Sequence, residues 1–333
     1  MSLSTLKWLP ALALACACSS EPPATPAAAA APSGLQLERG RYLVEHAAGC
    51  PHCHTPKSAD GSYDRARWLS GVDCYVDVIP ADPNAGCLST RNLTNHATGL
   101  KNRSDQEIKN MISKGVRPDG KALHPFMPYP YYGNMRADDV DAIVAYLRTV
   151  PGVERTARPS QPPFIAPPAP APVIEAKLFP MPSKTYDDQA AALRGRYLAT
   201  SVSVCVSCHT PRENGKVALD KAFQGGMSFP GASLGDKGVY PEQIYSSNIT
   251  PHATGIADHS IADVVRAIKH GVDREGRGIC PPMPAGPSQS FGGITDRDAQ
   301  DIAHYLFSLS PRENVVPNEC YAPPPSGGEH AAR

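Results

Sequence analysis

The sequence predicts a mainly α protein made of two tandem copies of one small domain, each with short helices and long loops. Three observations predict it. Residues 39–56 and 194–211 align without gaps around Arg-Gly-Arg-Tyr-Leu and Cys-x-x-Cys-His-Thr-Pro, at an offset of 155. Farther along, Asn92-Leu-Thr-Asn-His-Ala-Thr-Gly matches Asn248-Ile-Thr-Pro-His-Ala-Thr-Gly, and Met127-Pro128 matches Met283-Pro284, both at an offset of 156. Finally, 36 prolines and 27 glycines in 333 residues favour loops over long elements.

Each copy reads as three helices. The first covers Leu35 to Ala48, or Gln189 to Val204, where aliphatic and tyrosine residues recur at helical spacing just ahead of a cysteine. The second runs from Ser104 or Ser260, each an N-cap residue, to a C-terminal stop at Gly115 or Gly271. The third starts near Asp138–Asp139, or Asp296–Asp298, and carries the stripe Val140, Ile143, Val144, Leu147, or Ala299, Ile302, Leu306. Three short helices enclose little apolar volume, so a domain of this kind needs a large apolar group to fill its core.

The expected order along the chain is an export signal at 1–18, an Ala/Pro-rich tether at 19–34, domain 1 at 35–157, a proline-rich linker at 158–183, domain 2 at 184–322 and a tail at 323–333. The leader has one basic residue, Lys7, then a short apolar run ending in small residues. That run is too short to span a bilayer, and no later stretch reaches the roughly 20 apolar residues needed. The small residues before Cys16 and Cys18 resemble a bacterial lipoprotein processing site, which implies a lipid on one of the two. In the linker, proline removes donors and fixes φ, which makes the segment semi-extended. Lys+Arg and Asp+Glu both number 32, so no charge excess exists to grip nucleic acid or an acidic membrane surface.

The chemistry lies in Cys50-Pro-His-Cys53-His54 and Cys205-Val-Ser-Cys208-His209. C-x-x-C-H is the attachment signature of c-type haem. Two thiols three positions apart reach one edge of the macrocycle as thioethers, and the next residue, His54 or His209, is placed under the iron as proximal ligand. Zinc would want its cysteine pairs about 15 to 20 residues apart, and a redox dithiol a βαβ setting. Two haem c groups are the expected cofactors, and export suits their attachment.

Met127 and Met283 are the expected distal ligands. They match in the repeat and sit in proline-stiffened loops rather than on helix stripes, whereas Met111, Met135, Met181 and Met227 have no such mates. The aligned alternatives are His96 with His252, and His124 or Cys280 three residues before each methionine. The remaining cysteines, Cys74, Cys87, Cys280 and Cys320, are even in number; the expected pairings are Cys74–Cys87 and Cys280–Cys320. Tyr42 and Tyr197 are expected to pack on the third helix near Tyr146 and Tyr305, and the arginines beside them to serve structure rather than a haem propionate.

With these motifs in view, both halves resemble class I cytochrome c domains, specifically those of the multihaem cytochrome subunits of membrane-bound alcohol and sugar-acid dehydrogenases. The resemblance rests on Gly-Arg-Tyr-Leu, Cys-x-x-Cys-His-Thr-Pro, Asn248 to Pro251 and Met-Pro, and it spans most of 36–155 and 188–312. It implies His/Met ligation and electron passage from a dehydrogenase donor toward a quinone, oxidase or cytochrome acceptor, in the periplasm or cell envelope. Those subunits usually carry three haems and a C-terminal anchor, whereas this sequence has two motifs, and Asn95 stands where the second copy has Pro251. The expected role is an electron carrier with no catalytic residues. The enzyme alternatives are a dihaem peroxidase, which needs one open iron, and a thiosulfate-type oxidoreductase, which needs a cysteine on iron.

Overall fold

The computed structural model describes residues 31–77, 86–230, 243–317 and 321–322. The leader, Cys16, Cys18, Cys320 and the tail from 323 lie outside the described residues. From Ser33 onward the described chain forms one unit, and it is mostly helical.

Element order repeats. In the first half α1 (Gly34–Tyr42) runs into a π-helical turn, Leu43–Ala47, and then α2 (Cys50–His54); α3 (Asp105–Lys114), α4 (Tyr129–Tyr132) and α5 (Ala137–Thr149) follow. In the second half α6 (Gln189–Tyr197), a π turn at Leu198–Val202, α7 (Cys205–Cys208), α8 (Ile261–His270) and α9 (Asp296–Phe307) repeat the order, without an equivalent of α4 among the described residues. Short antiparallel ladders, such as Val76–Asp77 with Cys87–Leu88 and Gly278–Ile279 with Tyr321–Ala322, pin the loops.

The second helices begin and end at the residues that cap them. Ser104 Oγ accepts from Glu107 N while Glu107 accepts from Ser104 N at 2.7 Å, and Ser260 with Asp263 repeats this capping box. Gly115 and Gly271 stop the helices at φ +64°, where a side chain is strained. The stripes Val140, Ile143, Val144, Leu147 and Ala299, Ile302, Leu306 are all buried.

The first and third helices of each half cross at a glycine. A Cβ on Gly40 would run into the carbonyl of Ala142, and one on Gly195 into that of Asp301. Arg39 then forks onto Asp139 at 2.8 and 3.1 Å, and Arg194 onto Asp301 at 2.7 and 2.8 Å. The arginines of the repeated motif thus tie helix to helix.

The tyrosines behave differently from the sequence expectation. Tyr42 donates to Asp298 of the second half, and Tyr197 to Asp139 of the first. The reason is helical phase. Two residues is about 200° of an α-helix, so with Gly40 or Gly195 against its own third helix, the tyrosine faces the other half.

Segment 158–183 is not a free-standing spacer. Its backbone bonds the first half through Gln161 N to Cys87 O and Ile174 N to Pro130 O, and Asn134 holds the Ile174 carbonyl at 2.8 Å. Phe179, 1% exposed, stacks on Tyr131. The strap then docks on the second half, where the Pro180 carbonyl accepts from Arg196 and Tyr305. Leu43, Val44 and Ala47 join Leu198, Ala199 and Val202 in one continuous apolar core across the halves.

Candidate functional site: two matched Cys-x-x-Cys-His cradles

Each cradle begins at the π turn. Its extra residue per turn is seen in Ala48 N bonding Leu43 O at 2.8 Å, and Ser203 N bonding Leu198 O at 2.7 Å. The chain then leaves the helix through a left-handed residue, Gly49 at φ +62° or Val204 at φ +46°. For a β-branched valine that is a strained conformation, held by the surrounding packing. The next residue in each case is the first cysteine.

The histidines are oriented identically. His54 Nδ1 lies 2.8 Å from the carbonyl of Arg91, and His209 Nδ1 lies 2.8 Å from that of Ser247. A carbonyl can only accept, so Nδ1 carries the proton and Nε2 keeps its lone pair for a metal. Burial lowers the pKa of both imidazoles and favours the neutral, ligating form.

A second loop grips each histidine from behind. Gly71 N donates to His54 O at 2.7 Å, and Gly225 N to His209 O at 2.8 Å. Two residues earlier Leu69 and Phe223, both fully buried and both at positive φ, donate their N–H groups to Thr55 and Thr210. Sequence reasoning missed this loop. The pair Leu69-Ser70-Gly71 and Phe223-Gln224-Gly225 shares only its glycine, a signal visible once the Thr-Pro elements are aligned.

Cys50, Cys53, Cys205 and Cys208 are all unbonded. By contrast Cys74 and Cys87 form a disulfide, S–S 2.01 Å, and Cys280 is also disulfide-bonded. Burial pushes the Cys50 and Cys205 thiols up to about 12 and the Cys53 thiol to about 11, so they rest as neutral thiols. A covalent haem c requires this donor set: two free thiols on one turn, followed by an imidazole with Nε2 available. The residues fit the group in both halves.

Met127 and Met283 lie partly buried against the core. The Met127 loop is closed by its own N–H bonding His124 O and by Tyr129 N bonding the Met127 carbonyl at 2.8 Å. Of the alternatives, His124 Nδ1 accepts from Phe126 N, and His96 and His252 Nδ1 each accept from the threonine N–H two residues on, closing their own turns. Asn92 and Asn248, which open the same block, anchor the chain beyond the third helix by donating to the carbonyls of Val153 and Arg312, each at 2.8 Å. No group of three or more His, Cys, Asp and Glu side chains suited to a bare metal ion occurs among the described residues. No helix among them is long and apolar enough to cross a membrane.

Comparison with known proteins agrees with this geometry. Residues 37–151 match the cytochrome c family model. The chain is 29% identical over 294 residues to the fructose dehydrogenase cytochrome subunit of Gluconobacter japonicus, covering 86% of this chain and 54% of that one. It is 29% identical over 302 residues to the cytochrome c subunit of the quinone alcohol dehydrogenase of Gluconacetobacter polyoxogenes, covering 86% and 58%. A diheme c-type cytochrome of Cereibacter sphaeroides is 34% identical over 119 residues, covering 35% of this chain and 36% of its own. The chain spans little more than half the length of the dehydrogenase subunits it matches. A histidine fixed through Nδ1 beside two free thiols, in a segment that matches the family, makes residues 37–151 a cytochrome c domain and the chain a relative of the cytochrome c subunits of fructose and alcohol dehydrogenases.

Proposed function

We propose that the chain is an electron carrier with two tandem cytochrome c domains and two covalently attached haems, bound through Cys50 and Cys53 and through Cys205 and Cys208. In this reading His54 and His209 are the proximal ligands and Met127 and Met283 the distal ones. The haem iron, when bound, supplies a one-electron couple. The protein's residues hold the ligands, fix the imidazole tautomer and exclude water. The observation that carries the reading is the duplication of the cradle: both histidines meet a backbone carbonyl at 2.8 Å beside an unbonded cysteine pair.

In this reading the donor is a dehydrogenase, which the likeness to cytochrome subunits of fructose and alcohol dehydrogenases supports, the acceptor belongs to a respiratory chain, and the protein catalyses no reaction of its own. The leader supports export to the cell envelope, with a lipid on Cys16 or Cys18. The peroxidase and thiosulfate-type readings fare worse. Two matched methionine loops offer both irons a sixth ligand, and Cys280 is engaged in a disulfide.

The intact mass of the holoprotein tests the haem number, and electron paramagnetic resonance of the oxidised protein tests the ligation. Two haems and two low-spin His/Met signals are expected. A single haem, or a high-spin or thiolate-type signal, overturns the reading.

A further inference from the structure

The seam between the halves joins the attachment turn of the first to the methionine loop of the second. After Met283 the chain folds back on itself: Phe291 N donates to the Pro284 carbonyl at 2.9 Å, and Gln289 N to that of Gly286 at 3.0 Å. Gly292 completes the fold, since a Cβ there would lie 2.4 Å from the Gly286 carbonyl oxygen. The loop ends in a single 3-10 turn, Ser290–Gly293, which packs on α8 of its own half and on the π turn Leu43–Ala47 of the first.

Three side chains of the first half hold that turn. His46 Nδ1 lies 3.1 Å from the Ser290 carbonyl, which can only accept, so the imidazole donates. The Tyr63 hydroxyl and Ser290 Oγ are 3.0 Å apart, and both residues are buried. Lys57 donates to Gln289 Oε1 at 2.8 Å. The approach is close, because a Cβ on Gly293 would fall among the ring atoms of His46, and one on Gly49 would come within 3.3 Å of the Ser290 Cβ. All these partners frame the first attachment motif. His46 is on the π turn that leads into it, Gly49 directly precedes Cys50, and Lys57 and Tyr63 pair with each other just after His54. Beside the bonds the turn borders a cleft of about 170 Å³, lined from the first half by Glu45, Arg65 and Trp68. On that side hydrogen bonds, not packed core, hold it.

Resting on the His/Met reading above, we propose that His46 and Tyr63 are positioning residues for Met283. Through Ser290 the first half holds the loop that presents the distal ligand of the second, so ligation in the second half depends on a turn of the first. Groups behind a ligand set how firmly it is presented. Here the connection runs from His46 to Ser290, then through Phe291 to the Pro284 carbonyl, next in sequence to Met283. The Met127 loop closes differently, through Tyr129 N and the Met127 carbonyl, and His46 and Tyr63 should not govern it.

The test titrates the oxidised holoprotein with imidazole and follows electron paramagnetic resonance, with the two His/Met signals assigned by Met127→Ala and Met283→Ala. His46→Leu combined with Tyr63→Phe is expected to raise imidazole affinity on the order of tenfold at the second haem and to leave the first unchanged. His46→Asn, which keeps a donor for the Ser290 carbonyl, should stay near wild type. Tyr197→Phe, which breaks a seam bond that does not touch the loop, should also leave the second haem unchanged. Where the double variant does not load both haems, Tyr63→Phe alone should raise the second affinity about threefold. No change at the second haem, or an equal change at both, overturns the proposal. A Met283→Ala protein that keeps both His/Met signals overturns the ligand assignment itself, and the proposal with it.

Discussion

The hydroxyl of Tyr42 lies 2.5 Å from a carboxylate oxygen of Asp298, 256 residues away, and its repeat mate Tyr197 lies 2.6 Å from Asp139. The relation is reciprocal, since each half sends the tyrosine of its first helix to the third helix of the other. Each hydroxyl also accepts from the N-terminal backbone of that helix, Tyr42 from Thr295 N and Tyr197 from Arg136 N. The two halves of the chain are thereby tied together by the same contact made twice.

Removing either hydroxyl should loosen the seam. A hydrogen bond to a charged group contributes about 1.5–3 kcal/mol, and these are partly buried, so Tyr42→Phe and Tyr197→Phe should each lower stability by roughly 1–2 kcal/mol. Urea unfolding of the holoprotein measures this. The haem spectra should not change, because neither hydroxyl touches an attachment motif. Wild-type stability in both variants would sink the seam's role.

The same contacts give stability an acid and an alkaline limb. Burial works against the Asp139 carboxylate, but hydrogen bonds from Arg39 and Tyr197 outweigh it and hold its pKa below the usual range. A depressed carboxylate stabilises the fold above its unfolded pKa of about 4 and loses that contribution as pH falls through the folded value. Tyr197 is pushed up to about 12, by burial first and by Asp139 second. A raised phenol contributes fully below its unfolded pKa of about 10 and loses it as pH climbs toward the folded value. Urea midpoints across pH should fall at both ends, and Asp139→Asn should flatten both limbs. A wild-type profile in that variant would assign the limbs to other groups.

Much of the helical frame was legible in the sequence because its determinants are local. Ser104 to Gly115 and Ser260 to Gly271 are bounded by caps whose partners lie within one turn, and the stripe Val140, Ile143, Val144, Leu147 needs only helical phase. The π turns were not legible. Leu43-Val-Glu-His-Ala and Leu198-Ala-Thr-Ser-Val share only the leucine, and a shift from i→i+4 to i→i+5 bonding changes no composition. At the site, the motif identifies Cys50, Cys53 and His54, but the carbonyl that fixes His54 belongs to Arg91, whose side chain plays no part in the bond. Proline density predicts only a spacer at 158–183, because it says nothing about what a segment packs against.

The helix crossings leave no room for a methyl. At Gly40 and Gly195 the atoms a Cβ would meet are backbone carbonyls, which cannot rotate aside. Overpacking costs about 1–3 kcal/mol where neighbours can shift, and here the loss should reach or exceed the top of that range. Gly40→Ala and Gly195→Ala should therefore load haem poorly and melt early. Gly34→Ala, at an open helix start with nothing within 4 Å, should be close to neutral. Holoprotein yield and thermal melts separate the two classes.

Phe179 is the strap's anchor. It is 1% exposed and stacked on Tyr131 at 6.1 Å, while its own carbonyl and that of Pro180 accept from Arg196. Truncating a buried phenylalanine costs about 3–5 kcal/mol. Phe179→Ala should destabilise by that order and should also expose 158–183 to protease before the rest of the chain. Limited proteolysis followed by mass spectrometry locates the first cut. A first cut elsewhere would show that the strap is held by its backbone bonds alone.

The two methionine loops can be tested one at a time, because each half has its own cradle. Met127→Ala should open the sixth position in the first half and leave the second untouched. One low-spin signal should convert to high spin, and Met283→Ala should convert the other. His124→Ala should convert neither, since its Nδ1 already accepts from Phe126 N and its ring lies edge-on to Phe164. That variant should instead loosen the loop that presents Met127, which makes the first-half haem easier to convert with an added imidazole or cyanide ligand. If Met127→Ala leaves both signals low-spin and His124→Ala does not, the histidine is the ligand and the methionine only packs.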